Sequence, residues 1–66
     1  MNDEIRALAH VQKEIAKTRE DYNTALLADR VTSYEEYKKI CGVIQGLNLA
    51  DSIINDLVQR MENSDE

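Results

Sequence analysis

The apolar residues in the first part of the chain recur every three or four positions. This spacing is typical of one face of an α-helix and not of a strand, in which side chains alternate between two faces. Asp3 and Glu4 place negative charge at the positive end of the helix dipole, and Asn2 or Asp3 can cap the free amides. We therefore predict one helix over about residues 3–28. Its apolar stripe consists of Ile5, Leu8, Val11, Ile15, Tyr22 and Leu26.

A turn is predicted over residues 28–33, where short polar and β-branched residues replace strong helix formers. Ser33 and Glu36 match the S/T-x-x-E capping box, in which the serine oxygen accepts the amide hydrogen of the glutamate and the glutamate side chain reaches back to the cap. Val31 is placed to pack against the start of the next helix as a hydrophobic staple. Because the connection is so short, the two helices are expected to be antiparallel.

The second helix is predicted over about residues 34–62. Asp51 falls near the centre of its apolar stripe, and the acidic tail of residues 62–66 opposes the helix dipole, so this tail is expected to fray. Together the two segments predict an all-α fold, an antiparallel two-helix hairpin that occupies residues 1–66 as one domain. The second stripe consists of Tyr37, Ile40, Ile44, Leu47, Ile54, Leu57, Val58 and Met61.

The second helix carries more apolar surface than one neighbouring helix can cover. A helix packed against one partner buries an arc of roughly 100° or somewhat more. Gly42, Leu49 and Ile53 lie outside that arc, on a flank shared with Glu35 and Arg60. A third helix must cover this flank, so the hairpin is expected to be completed by oligomerisation or by packing on a partner. The expected partner interface consists of Gly42, Gly46, Leu49, Ala50, Ile53 and Leu57.

Two glycines inside this helix need a physical reason, because each costs about 1 kcal/mol relative to alanine. Gly42, Gly46 and Ala50 are spaced four residues apart, and such a ridge lets another backbone approach closely. Alternatively, the helix ends at Gly46 and Asn48 caps a third helix. The apolar stripe keeps its phase on both sides of Gly46, which favours one continuous helix.

Polar residues interrupt the predicted seam between the helices. Gln12 and Arg19 lie on the apolar side of the first helix, so the seam is expected to be partly hydrated there. Asp51 lies either at the edge of the seam with its carboxylate in water, or within it, where a polar group disfavours other alignments. A turn near residue 31 pairs positions whose numbers sum to about 62, which places Arg19 opposite Val43. An ion pair between Arg19 and Asp51 is therefore expected only between subunits.

The small size of the chain agrees with this dependence on a partner. Its 66 residues include one cysteine, one histidine and neither phenylalanine nor tryptophan, so an internal disulfide and a zinc site are excluded as staples. The net charge of −5 disfavours nucleic-acid binding, which requires a basic face. No apolar run reaches the roughly 20 residues of a bilayer span, and the acidic first residues differ from a signal peptide, so neither membrane insertion nor secretion is expected.

We expect no enzymatic activity, catalytic residue, cofactor or metal site. His10 and Glu14 lie one helical turn apart and are able to share a proton or a weakly bound metal, but a single histidine on a polar helix face is typical of ordinary surface. Cys41 has no histidine or cysteine close in sequence to activate its thiol, and it is expected to pack at the edge of the stripe. A two-helix hairpin offers no cleft for paired acid and base groups.

Tyr22, Tyr34 and Tyr37 are the only aromatic residues, and all three lie close to the predicted turn. One interpretation is that they seal the closed end of the hairpin with their hydroxyls in water. The other is an exposed aromatic patch that docks a partner, because tyrosine is enriched in interface hot spots. The sealing role is favoured.

Residues 33–47, SYEEYKKICGVIQGL, and residues 56–62, DLVQRME, resemble short acidic helical proteins encoded among the virion-structure genes of tailed bacteriophages. The resemblance covers the turn and the second helix, about half of the chain. It implies an accessory part of a virion, at the head, portal or tail, and brings no catalytic residues with it. The partners then expected are a second copy of the chain, a larger virion protein or both, in the virion or the host cytoplasm.

A second interpretation is a small acidic phage regulator or inhibitor that binds a basic groove on a host protein. Its carboxylates are interleaved with basic residues, which makes the chain a weak imitation of nucleic-acid charge. A structural or assembly role is therefore preferred. The interleaved basic residues are Lys13, Lys17, Lys38 and Lys39.

Overall fold

The structure is a computed structural model that describes residues 3–28 and 31–64. Within these ranges the chain forms two helices and no strand: α1 spans Asp3–Leu27 and α2 spans Tyr34–Ser64. Side-chain hydrogen bonds join Gln12, in the first half of α1, to Asp51, and Arg19, in the second half of α1, to Asn48, which precedes Asp51 on α2, so the helices are antiparallel. The predicted all-α hairpin is confirmed, with helix ends within two residues of those expected.

Helix α2 continues through both glycines without a break, which confirms one continuous helix and excludes an end at Gly46. The helix also includes residues 62–64, so the described part of the predicted frayed tail is helical. Residues 65 and 66, and the possible cap Asn2, lie outside the described residues. The apolar stripe explains why α2 extends beyond the predicted end at about residue 62. Met61, in the last full turn, is still half-buried, and its packing holds the surrounding backbone in the helix.

The start of α2 is capped by Ser33, as predicted. The Glu36 amide donates a hydrogen bond to Ser33 Oγ over 3.1 Å, which satisfies one of the free amides of the first turn. The reciprocal half of the box differs, because the Glu36 carboxylate accepts a hydrogen bond from the Thr32 hydroxyl at 3.2 Å. Val31 is half-buried beside this turn, in agreement with a hydrophobic staple.

Two hydrogen bonds between the helices fix their register. Gln12 Nε2 donates to Asp51 Oδ1 at 3.3 Å, and Arg19 Nη1 donates to Asn48 Oδ1 at 2.9 Å. The residue numbers of the first pair sum to 63, in agreement with the sum of about 62 predicted from the turn, and those of the second pair sum to 67 because the long arginine side chain reaches along the helix axis.

The hairpin is long, thin and poorly buried. Its principal extents are 51 × 15 × 12 Å, and its accessible surface of 5250 Å² exceeds the roughly 4300 Å² expected for a compact protein of this mass. Among the described residues only Ile40 is buried, at 8% exposure. Val11, Tyr37 and Leu57 were predicted in the apolar stripes but are exposed, because two helices in contact along one seam leave both flanks open.

The half-buried seam follows a spacing of three and four residues along both helices. With 25 and 31 residues, the two helices can stay in contact over most of their length. Neither described helix combines the length and the apolar character needed to cross a membrane. The half-buried apolar residues of the seam are Ile5, Leu8, Ile15, Tyr22, Leu26, Val43, Ile44, Leu47, Ile54, Val58 and Met61.

Candidate interaction surface

A polar cluster lies at the middle of the seam. The carboxylate of Asp51 accepts a hydrogen bond from Gln12 and lies 3.9 Å from Arg19 Nη1, which also donates to Asn48. The expectation that Arg19 meets Asp51 only between subunits is wrong. The long arginine side chain extends along the helix axis and reaches two successive turns of α2, which a residue-to-residue register does not take into account.

In this cluster Asp51 combines the two predicted roles, a carboxylate in contact with water at the edge of the seam and a polar group that favours one alignment of the helices. Its side chain remains 37% exposed and that of Arg19 29% exposed, so the ion pair is partly hydrated and adds little to stability. The hydrogen bonds nevertheless connect specific positions of the two helices. Asn48 was not predicted as a member of the cluster, although it lies one turn before Asp51 on the side of α2 that faces Arg19.

Replacing Asp51 with leucine tests the role of this cluster. Asp51 lies between half-buried Leu47 and Ile54, so a leucine there extends the apolar seam and is expected to raise the free energy of unfolding by about 1 kcal/mol. Loss of a polar group that favours one alignment should also broaden the distribution of oligomeric species. Urea unfolding followed by circular dichroism and sedimentation velocity measure the two effects. The exposed control Asp21→Leu should change neither, and a less stable Asp51→Leu variant would contradict the expectation.

A second apolar surface lies on the outer side of α2, away from the seam. Leu49 is 63% exposed, Ile53 57% and Leu57 39%. With steps of about 100° per residue, Gly42 and Gly46 fall on the same side. We refer to these five residues as the open face of α2. Ala50, which was predicted in the same interface, is half-buried at the edge between the open face and the seam.

The two glycines of the open face are not required by packing within the chain. Among the described residues, a Cβ atom placed on Gly42 or Gly46 has no atom within 4 Å besides its own chain neighbours and helix backbone. Both glycines therefore make the helix less stable than alanine would, and no contact among the described residues explains their presence. An explanation from association remains, since glycine lets another helix come close.

Replacing Gly46 with alanine is expected to stabilise the dilute, unassociated hairpin by about 1 kcal/mol, because alanine is the better helix former and the space around it is open. Thermal unfolding followed by circular dichroism at low protein concentration measures this change. Ser52→Ala, on the exposed polar side of the same helix, is the control for helix propensity alone and should stabilise less. A loss of stability in dilute Gly46→Ala protein would show a contact inside the chain that the glycine serves.

The three tyrosines do not share one environment. Tyr22 is half-buried in the seam, whereas in the first turn of α2 Tyr34 is 72% exposed and Tyr37 48% exposed. The ring of Tyr34 lies 5.5 Å from Lys38 Nζ, a cation–π contact within one turn. A side-chain hydrogen bond with Cys41 raises the pKa of the Tyr37 hydroxyl. The geometry thus places Tyr22 in the hairpin seam and leaves two rings on the surface.

The residues with potential chemistry are dispersed. His10 is exposed on α1, and Cys41 is a half-buried free thiol on α2. Within residues 3–28 and 31–64, no group of three histidine, cysteine or acidic side chains is close enough to hold a metal ion.

Comparisons with protein-family models, curated proteins and solved structures found no match for this chain.

Proposed function

We propose that this protein is a small non-enzymatic interaction module that contributes a helical hairpin to a larger protein assembly. The observation that supports the proposal is the open face of α2, where Leu49 and Ile53 are each more than half exposed. Scattered apolar residues are normal on protein surfaces, whereas a continuous row on one helix face is typical of a binding site.

The small core supports the same proposal. A chain of this length buries too little surface to be strongly stable alone, and among the described residues only Ile40 is buried. Packing of another helix on the open face adds the missing apolar contacts. Binding to the folded state then stabilises the hairpin by mass action, so folding and assembly are coupled.

We further propose that the assembly is the virion of a tailed bacteriophage, with the hairpin as an accessory component of the head, portal or tail. This part of the proposal is supported by the resemblance of residues 33–47 and 56–62 to short virion-associated helical proteins. Helix–helix packing is the mode of action that suits such a component, because its surface offers an apolar row and mixed charge of both signs.

Mass spectrometry of purified virions of the encoding phage tests this assignment. The chain should be recovered in a fixed ratio to the major virion proteins, and it should be lost from virions when Ile53 is replaced by aspartate. Ser52→Asp adds the same charge one residue away on the exposed polar side and should still be incorporated. Recovery of the chain on a host protein from infected cells, with none in virions, would contradict assembly and establish the regulator instead.

A further inference from the structure

We propose that the open face of α2 binds a second copy of this chain, with the two α2 helices antiparallel. The proposal deepens the proposed function, on which it rests, by naming the occupant of the open face. The order of charged, small and large residues along that face supports it. The residues of the face and its two ends are Glu35, Lys39, Gly42, Gly46, Leu49, Ile53, Asp56, Leu57 and Arg60.

These residues form one straight row along α2. At about 100° per residue they fall within roughly 50° of a common direction, well away from the seam that contacts α1. All nine residues are exposed in the single hairpin. From Glu35 to Arg60 the row is about 37 Å long at 1.5 Å per residue, so two such helices can remain in contact over most of α2.

The charges at the two ends of the row are complementary when one copy is reversed. If positions in the two copies pair so that their numbers sum to 95, Glu35 faces Arg60 of the second copy. In the same alignment Lys39 faces Asp56. Because a two-fold axis relates the copies, each of these opposite-charge pairs occurs twice.

The same alignment also matches the sizes of the side chains between the charged ends. Gly42 faces Ile53 of the second copy, and Gly46 faces Leu49. Leu49 and Ile53, the two most exposed apolar side chains of the open face, therefore each meet a position without a side chain. This arrangement gives the two glycines the role that no contact inside the chain provides, and it brings the helix axes close together.

A parallel pairing of the two copies in register has the opposite character. It sets Glu35 against Glu35 and Arg60 against Arg60, and like charges placed together across an interface are unfavourable. It also stacks glycine on glycine, which leaves the exposed leucine and isoleucine side chains to crowd one another. Charge and size therefore favour the same antiparallel register.

Charge reversal tests the register. Glu35→Arg creates two like-charge contacts per dimer and is expected to weaken dimerisation about tenfold, since exposed pairs contribute modestly. Adding Arg60→Glu to the same chain restores opposite charges and should return the dissociation constant to within about threefold of the unaltered chain. Glu20→Arg, exposed on α1, changes the net charge equally and should have little effect. A dimer that the second substitution does not restore would overturn the register.

Disulfide trapping gives an independent readout of direction. In a Cys41→Ser background, chains with Lys39→Cys are mixed with chains carrying Asp56→Cys and are mildly oxidised. The antiparallel register predicts disulfides that join position 39 to position 56. Disulfides that join 39 to 39 and 56 to 56 would establish the parallel arrangement and contradict the proposal.

The oligomeric state separates failure of this inference from failure of the proposed function. A chain that sediments as a folded monomer at every concentration overturns self-association. The assembly role is judged separately, by the recovery of the unaltered chain in virions and the loss of its Ile53→Asp variant. A chain that dimerises as predicted but is absent from virions would retain the self-association and lose the virion assignment.

Discussion

Replacing Ile40 with alanine is expected to lower the free energy of unfolding by about 2–3 kcal/mol, the lower part of the range for large-to-small changes in a core. Ile40 is the one described residue that is buried, at 8% exposure, and it lies near the closed end of the hairpin. A chain of this length has a total stability of only about 3–10 kcal/mol. The substitution should therefore remove a large share of the folded population, as measured by urea unfolding at fixed protein concentration.

Leu27→Ala is the matched control for the Ile40 prediction. It also shortens a branched aliphatic side chain on a helix, but Leu27 is 89% exposed. The substitution should therefore change the free energy of unfolding by less than about 0.5 kcal/mol. Equal effects of the two substitutions would show that the hairpin has no core at Ile40. Because unfolding of an associating chain depends on concentration, both variants need to be compared with the unaltered chain at the same dilution.

Replacing Ile53 with aspartate is expected to abolish association through the open face. Ile53 lies at the middle of this face and is more than half exposed in the single hairpin, so the hairpin itself tolerates a carboxylate there. In the associated state the charge is buried without a partner, which costs several kcal/mol. We expect the dissociation constant to rise by at least about 100-fold, equivalent to about 3 kcal/mol, as measured by sedimentation equilibrium.

Ser52→Asp separates the position of the new charge from the charge itself. Ser52 precedes Ile53 but is exposed on the polar side of α2, about 100° around the helix. Its replacement adds the same negative charge to an already acidic chain and should leave association within about threefold of the unaltered protein. If both substitutions weaken association equally, general repulsion and not the open face would be responsible.

Much of the hairpin was predictable from the sequence, for local reasons. The apolar spacing predicted both helices because it repeats through six or more turns, and the serine at position 33 predicted the start of α2 because capping depends on residues only three apart. The continuity of α2 across Gly46 was also predictable, since one glycine costs less than breaking a long amphipathic helix.

The polar cluster was less accessible to sequence reasoning than the register. A register gives the positions that face each other, but not which polar side chains join them. The contacts of Arg19 with Asn48 and Asp51 further depend on the reach of a long side chain along the helix axis. The exposure of Val11 was missed because helical spacing indicates a face without indicating whether anything covers it.

The central claim is that the hairpin depends on another helix to cover its open face. Sedimentation equilibrium of the unaltered chain over a wide range of micromolar concentrations, with helix content measured by circular dichroism on the same samples, tests it most directly. We predict an oligomer whose dissociation on dilution is accompanied by a partial loss of helix content. A stable, fully helical monomer throughout this range would contradict the claim.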